Sequence, residues 1–322
     1  MNIPVEYQDL SGTITNQTYN LTRIAFAKHL AIAGQGYAPK PHKFIRTLSM
    51  FFHYIYYIQR QSFNSDKFSE PLMILSDPTE KGQFSNLAGK AIADFLSKKI
   101  DQSLFTVNYE GAMKSLNIKV KGGRPDLLAF KKDSMFAIEA KGFSGGAGNM
   151  TQHMNQSQTG KIPVNFSVAC VSYKLYKNVK CKYHKICNNN VSYNNGLLRK
   201  LTQQYYGGFL GFLNETYFNY REIEIQSEKF YEVELSHESF KKLFPEKFTF
   251  ISLDPLEIFK YYLPKLILPL KIRDYAKDGI TSETEPFIFE TNTENNLLYV
   301  DNDRIGLKIE STPKSKYLKL KI

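Results

Sequence analysis

The chain has no tryptophan and only three cysteines in 322 residues. So few thiols argue against a disulfide framework and fit a reducing compartment. No uninterrupted apolar run reaches the roughly 18–20 residues needed to span a bilayer. The aromatic run from Phe51 to Ile58 is too short and carries His53. The opening MNIPVEYQDL lacks a basic segment followed by an apolar one, so no secretory leader is expected. A cytoplasmic protein without a membrane partner is the expectation.

Acidic residues are missing from two long stretches. None occurs from Ala140 to Asn214, which still holds Lys141, Lys161, Lys174, Lys177, Lys180, Lys182, Lys185, Arg199 and Lys200. None occurs from Leu10 to Ser65, which holds Arg23, Lys28, Lys40, Lys43, Arg46 and Arg60. Over the whole chain 42 Lys and Arg stand against 31 Asp and Glu, a net charge of +11. A basic surface undiluted by acids attracts a phosphate backbone, and each neutralised phosphate adds salt-sensitive affinity. Tyr173, Tyr176 and Tyr183 interleave with the bases and suit stacking. A basic surface without a partner, or one facing an anionic membrane, has the same composition. The apolar fraction of 42%, with 24 Phe and 21 Tyr, is that of a globular protein able to bury a large core and to hold two domains.

The most informative segment is GGRPDLLAFKKDSMFAIEAKG, Gly122 to Gly142. Pro125-Asp126 opens one apolar run, and Lys131-Lys132-Asp133-Ser134 offers a polar turn. A second run carries Glu139 and Lys141. Side chains alternate along a strand, so Glu139 and Lys141 share a face roughly 7 Å apart, with Phe136, Ile138 and Ala140 on the other. Two carboxylates and an ammonium converging at a hairpin can hold a divalent metal and a water beside a phosphodiester. The alternative is a solvated hairpin with an ordinary charge pair.

Pro125-Asp126, a gap of twelve residues and Glu139-Ala140-Lys141 resemble the motif of the PD-(D/E)xK nuclease superfamily, also called restriction-endonuclease-like. The match covers about forty residues, or about a hundred with its flanking helices. The resemblance implies Asp126 and Glu139 as Mg²⁺ ligands (Mn²⁺ as a substitute) with the Ala140 carbonyl nearby. It gives Lys141 the attacking water and the charge of the scissile phosphate. Mg²⁺ suits one or two carboxylates plus phosphate and waters. In such proteins a helix before the catalytic sheet often carries a further acid. Glu80 is the candidate, although Asp77-Pro78-Thr79-Glu80 also reads as a capping box. Glu80 extends the apolar stripe of its helix, four residues before Phe84 and seven before Leu87, and Asp94 fits the same stripe mid-helix and ranks lower.

Along the chain, residues 1–65 read as mostly helical. Apolar spacing predicts a helix over Leu21–Ala33, a break at Gly34–Pro41 and a second helix over Phe44–Gln61. A third helix follows Asp77 with the stripe Phe84, Leu87, Ala88, Ala91, Ile92 and Phe95. Strands are expected at Phe105–Tyr109, Leu116–Val120, around Asp126 and Glu139, and at Val164–Tyr173. A further helix spans Leu197–Phe218. Gly142 to Gly148 is a glycine-rich loop without the Gly-Lys-Ser/Thr end of a phosphate-binding loop. Asn149–Gln158 is dense in amides, which pair with adenine in the major groove or simply form a polar helix. Gln152, Gln156, Lys174, Lys177, Lys180 and Lys182 are the candidate nucleic-acid contacts.

Cys170, Cys181, His184 and Cys187 supply three thiolates and an imidazole. Their spacing half meets that of structural zinc, and Lys182 and Lys185 stand among them. An acid-rich stretch from Glu215 to Glu238 opens a C-terminal part with a helix over Pro255–Leu263 and a basic edge strand over Lys314–Lys321. The expected organisation is a helical region at 1–69, a nuclease core at 70–220 and a C-terminal α+β subdomain at 221–322. The expected fold is α/β, a short mixed sheet flanked by helices. The expected function is Mg²⁺-dependent cleavage of DNA by a restriction-type or anti-phage enzyme, with room for a homodimer. A DNA-binding module with a silent nuclease core and an RNA nuclease are the competing readings.

Overall fold

The computed structural model describes residues 1–33, 53–70, 77–187, 191, 193–236, 264–290 and 297–309. The chain begins with a hairpin. β1 (Asn2–Gln8) turns Ile3 and Val5 inward, and the Asp9 carboxylate accepts from the N–H groups of Ser11 (2.8 Å) and Thr13 (2.9 Å). Gly12, at φ +88°, reverses the chain into β2 (Ile14–Asn20). The expectation that residues 1–65 are mostly helical is therefore corrected. The alternation of Ile3 and Val5 ahead of Asp-Leu-Ser-Gly is a hairpin pattern.

Helix α1 (Arg23–Ile32) follows, capped by Thr22, whose hydroxyl accepts from the Ala25 N–H at 3.2 Å. The expected helix Phe44–Gln61 ends differently. A 3₁₀ turn at Ile55–Ile58 and α2 (Arg60–Asn64) are separated by an extended Gln59, ψ 142°. Residues 44–52 of that helix, the loop 34–41, the helix over 255–263 and the strand over 314–321 lie outside the described residues.

Helix α3 (Pro78–Ile100) starts where its sequence says. Asp77 accepts from the Thr79 N–H at 2.8 Å, and Pro78 sits in the first turn. The expected stripe is its buried face, with Leu87 half-buried. Then come β3 (Phe105–Asn108), α4 (Tyr109–Ser115), β4 (Leu127–Lys131), β5 (Ser134–Gly142), α5 (Met150–Ser157), β6 (Phe166–Tyr173) and β7 (Lys180–Cys187). Leu116–Val120 is not a strand. Leu116, Ile118 and Val120 do pack on the core alternately, but Asn108 has capped α4 and Asn117 turns at φ +57°, so the segment joins no ladder.

The main sheet has seven strands in the order β2-β1-β7-β6-β5-β4-β3. β5 runs parallel to β6 and β1 parallel to β7, and the other pairs are antiparallel. After α6 (Asn195–Phe209), a second sheet is antiparallel throughout. It contains β8 (Phe218–Ile225), β9 (Glu228–Leu235), β10 (Lys265–Pro269), β11 (Leu298–Val300) and β12 (Gly306–Lys308), in the order β11-β12-β10-β9-β8. α7 (Ile272–Asp278) packs on α6. The fold is mixed α/β with helices flanking both sheets. No helix among the described residues is long and apolar enough to cross a membrane.

Two glycines bring α3 onto β5. A Cβ on Gly89 would fall 2.5 Å from the Lys141 carbonyl carbon and the Gly142 nitrogen, and one on Gly142 would overlap the Ser85 carbonyl oxygen. Backbone touches backbone here, so neither position accepts a side chain.

Further along α3 lies a buried ion cluster. Lys28 from α1 and Lys98 from α3 each reach Asp301 Oδ2 at 2.6 Å, and Asp303 Oδ1 is 3.1 Å from Lys28. His29 Nδ1 is 2.7 Å from Asp94 Oδ2, and the Tyr205 hydroxyl donates to Asp303 at 2.8 Å. The two lysines, three aspartates and His29 are each at most 4% exposed, and Tyr205 is 1% exposed. Burial opposes ionisation of Asp94 and Asp301, but the ammoniums of Lys98 and Lys28 overcome it and hold both carboxyls below their ordinary values. A lowered carboxylate pKa means that the unfolded chain binds more protons in acid. This contribution to stability is complete above about pH 5 and is lost as the pH falls. Asp301→Asn leaves two buried ammoniums undercompensated and should cost about 3–5 kcal/mol at pH 7. It should also flatten the loss of stability between about pH 5 and 3. Urea unfolding at both ends of that window checks this, and an unchanged midpoint at pH 7 refutes it.

Candidate active site

The β4–β5 hairpin closes through Lys132-Asp133, with Lys131 opposite Ser134 and Leu127 opposite Ile138. Asp126 stands one residue before β4. Its N–H donates to the Ile138 carbonyl at 2.9 Å, which extends the ladder and sets it beside Glu139. The Ala140 N–H donates to Asp126 Oδ2 at 3.1 Å, and the Lys90 ammonium of α3 lies 3.2 Å from Asp126 Oδ1. Each oxygen of Asp126 thus has a fixed partner. The Gly89–Gly142 contact, one residue from Lys90, is what places that lysine.

Glu139 is held differently. Its side chain is fully buried. Oε1 touches the Lys141 ammonium without hydrogen-bond geometry, and neither oxygen accepts a hydrogen bond among the described residues. Burial first, then the charge of Asp126, push its carboxyl up to about 7, against the pull of Lys141 and Lys90. A buried carboxylate with a single lysine at Oε1 and no partner on Oε2, beside a second carboxylate, is undercompensated, and a further cation would take its free lone pairs. The donor set fits a hard divalent metal, with Asp126 and Glu139 as oxygen ligands.

The structure brings Asp126, Glu139 and Lys141 together, with Ala140 contributing its N–H. It does not bring Glu80 to them. That carboxylate accepts from the Tyr57 hydroxyl at 3.2 Å, on the first turn of α3. Ten residues of helix, about 15 Å, separate it from Lys90. The helix addresses the hairpin with a lysine instead of an acid. Asp94 belongs to the ion cluster.

Gln152 is exposed on α5 and Gln156 half-buried. Lys174 and Lys177 are exposed on the β6–β7 turn, and Lys180 is half-exposed. The Lys174 N–H donates to the Gly145 carbonyl at 2.8 Å, so this turn is tied to the glycine-rich loop after Lys141. Lys182 is engaged within the fold, 2.9 Å from Glu6, as is Lys185, 2.5 Å from Asp101. The proposed zinc ligands do not converge. Cys170 and Cys181 Sγ are 3.5 Å apart, but His184 bonds Glu6 and Cys187 lies six residues, about 20 Å, along β7 from Cys181.

Two site neighbours escape the sequence pattern. Lys90 carries no signal beyond its place on an amphipathic helix. His153 does: it is the one titratable side chain from Asn149 to Gln158. Gly142-Phe143-Ser144-Gly145-Gly146 also has the G-x-S-x-G spacing of a serine-hydrolase nucleophile turn. Ser144 is exposed, however, α5 begins only at Met150, and no carboxylate orients His153 among the described residues. Comparison with protein-family models, curated proteins and solved structures returned no match.

A folded-state carboxyl raised to about 7 binds a proton that the unfolded chain releases above about pH 4.3. Stability from this group therefore falls as the pH rises through that window. Glu139→Gln should stabilise the protein by roughly 2–3 kcal/mol at pH 8 and by little at pH 4.5. Added Mg²⁺ should raise the Tm of the wild type and not that of Glu139→Gln. Thermal melts at two pH values, with and without Mg²⁺, test both points. A variant that melts no higher at pH 8 contradicts the first.

Proposed function

We propose that this chain is a Mg²⁺-dependent endonuclease of the PD-(D/E)xK type that hydrolyses DNA in restriction or anti-phage defence. The observation that carries the reading is Glu139, buried beside Asp126 with no hydrogen bond to either oxygen and a lysine two residues on. Supporting it is the element order α3, β3, β4–β5, α5, β6, with the short α4 between β3 and β4, close to the helix, antiparallel strands, helix and strand that the resembled fold requires.

Asp126 and Glu139 would hold the ion, with the Ala140 carbonyl as the expected backbone ligand and Mn²⁺ as an expected substitute. Bound Mg²⁺ polarises the phosphoryl oxygen and lowers the pKa of water. The chain's own groups do the rest. The Ala140 N–H fixes the rotamer of Asp126. With Glu139 engaged, Lys141 is left to orient the attacking water and offset charge at the scissile phosphate. Lys174 and Lys177 extend the positive surface along the phosphate backbone, with Lys180 at its edge.

Plasmid DNA and a structured RNA incubated with Mg²⁺, with and without EDTA, decide between DNA cleavage, RNA cleavage and binding alone. Asp126→Asn, Glu139→Gln and Lys141→Met should each lower cleavage at least about 10²-fold while the fold persists. Glu139→Gln cutting at the wild-type rate would sink the site assignment. Lys174→Ala with Lys177→Ala should weaken binding to every sequence tested and reduce the salt slope by about 0.9 log units for each phosphate left unneutralised. An unchanged slope in a salt titration means that these lysines face away from the nucleic acid.

A further inference from the structure

Near the hairpin the fold buries one imidazole with nothing to bond. His153, on the first turn of α5, is 8% exposed, and neither Nδ1 nor Nε2 has a hydrogen-bond partner among the described residues. The Ala147 carbonyl lies close enough to favour the protonated ring, without meeting hydrogen-bond geometry at either nitrogen. A neutral imidazole always presents one N–H donor and one lone pair. Burying both unpaired costs the desolvation of each, which leucine at the same place would avoid.

The surroundings fit a site rather than a packing accident. The ring lies against Phe143, centroids 5.7 Å apart. Gly148, at φ +68°, passes over it, and a Cβ there would stand 3.2 Å from Nε2. The roof over His153 is thus the glycine-rich loop that leaves β5 directly after Lys141. Burial, then the Lys141 charge, oppose protonation of the ring, which places it in the field of that ammonium. The same loop is laced to the basic turn: Lys174 donates to Gly145 at 2.8 Å and Leu175 to Phe143 at 3.3 Å. A ligand that draws Lys174 and Lys177 toward it therefore pulls on the roof of His153.

We propose that His153 is a substrate-binding residue whose ring N–H, uncovered when residues 143–149 shift, donates to a non-bridging oxygen of the phosphate next to the scissile one. An anionic oxygen is the acceptor that a donor beside Lys141 and the basic turn would meet. The proposal rests on the nuclease reading above and adds a residue and a moving segment to it.

The test compares the wild type, His153→Leu and His153→Gln, which keeps an N–H donor. A short duplex is bound in Ca²⁺, where cleavage is suppressed, and cleavage is then followed in Mg²⁺. His153→Leu should melt no lower than the wild type, bind the duplex about tenfold more weakly and raise KM by the same factor with kcat little changed. His153→Gln should recover most of the loss. The His153 ring resonances of the wild type should shift when duplex is added in Ca²⁺. That readout stands even where His153→Leu fails to fold. A wild type that cuts, with His153→Leu unchanged in Kd and KM or with ring resonances that do not move at saturation, overturns this proposal alone. A wild type that neither binds nor cuts overturns the nuclease reading and this proposal with it.

Discussion

Lys90, Asp94 and Lys98 recur every four residues along α3, and the structure around the hairpin hangs on that stripe. Lys90 meets Asp126 at 3.2 Å. One turn on, Asp94 takes His29 of α1. One turn further, Lys98 takes Asp301, which Lys28 also holds. A buried helix normally presents only apolar groups to its neighbours. Here the polar stripe runs from the candidate site into the interior, and every charge on it is answered by another element. The turn that supplies Asp301 and Asp303 belongs to the β11–β12 end of the second sheet. One continuous apolar core, from Met1 to Leu307, surrounds the cluster. The C-terminal sheet is therefore joined to the site helix by charge as well as by packing. Loosening that joint would let α3 move, and with it the backbone contact between Gly89 and Gly142.

The cluster and the hairpin treat buried charge in opposite ways. In the cluster, acids and bases pair closely, so desolvation is met by compensating charge and hydrogen bonds. At Glu139 it is met only in part, by Lys141 at one oxygen. Its carboxyl is raised to about 7, and its nearest cation, Lys141, is itself part of the proposed chemistry. A fold able to satisfy six buried ionisable groups elsewhere did not need to leave this one short. Perturbed carboxyls gather where they act, and the contrast within one molecule strengthens the inference.

Much of this is legible in the sequence, and the parts that are not share a cause. The Asp126–Glu139 hairpin, the start of α3, its apolar stripe and strand β6 are local patterns: a turn, a cap, a period. The first hairpin is only half legible: β1 alternates into its turn, but β2, Ile-Thr-Asn-Gln-Thr-Tyr-Asn, is exposed along most of its length and carries no alternation. Its partner β1 is fixed by parallel pairing with β7, far along the chain. Leu116–Val120 shows the converse. The alternation is present and buries its apolar side, but α4 and the turn at Asn117 leave it no ladder. Glu80 is suggested by its place on the extension of the α3 stripe and by the resemblance, and helix length carries it away from the site. Lys90 is invisible in the sequence because only the crossing of α3 over β5 gives it a role.

Charge segregation along the chain is a weaker guide than it looks. The acid-free run from Ala140 to Asn214 suggests a uniform basic face. In three dimensions Lys182 and Lys185 find Glu6 and Asp101, which lie outside that run. The acid-rich strands behave alike: Glu232 is buried among Arg221, Lys265 and Lys308, and Glu228 pairs with Arg304. Ion pairing across the fold thus cancels part of each block, while Lys161, Lys174, Lys177, Arg199 and Lys200 of that run stay exposed. Lys174 and Lys177 stand on the turn laced to the glycine-rich loop, which runs from Lys141 to the helix of His153. Under the proposed function, this turn and loop would lead a phosphate backbone toward the hairpin. The linear charge pattern thus overstates the basic area that the fold presents.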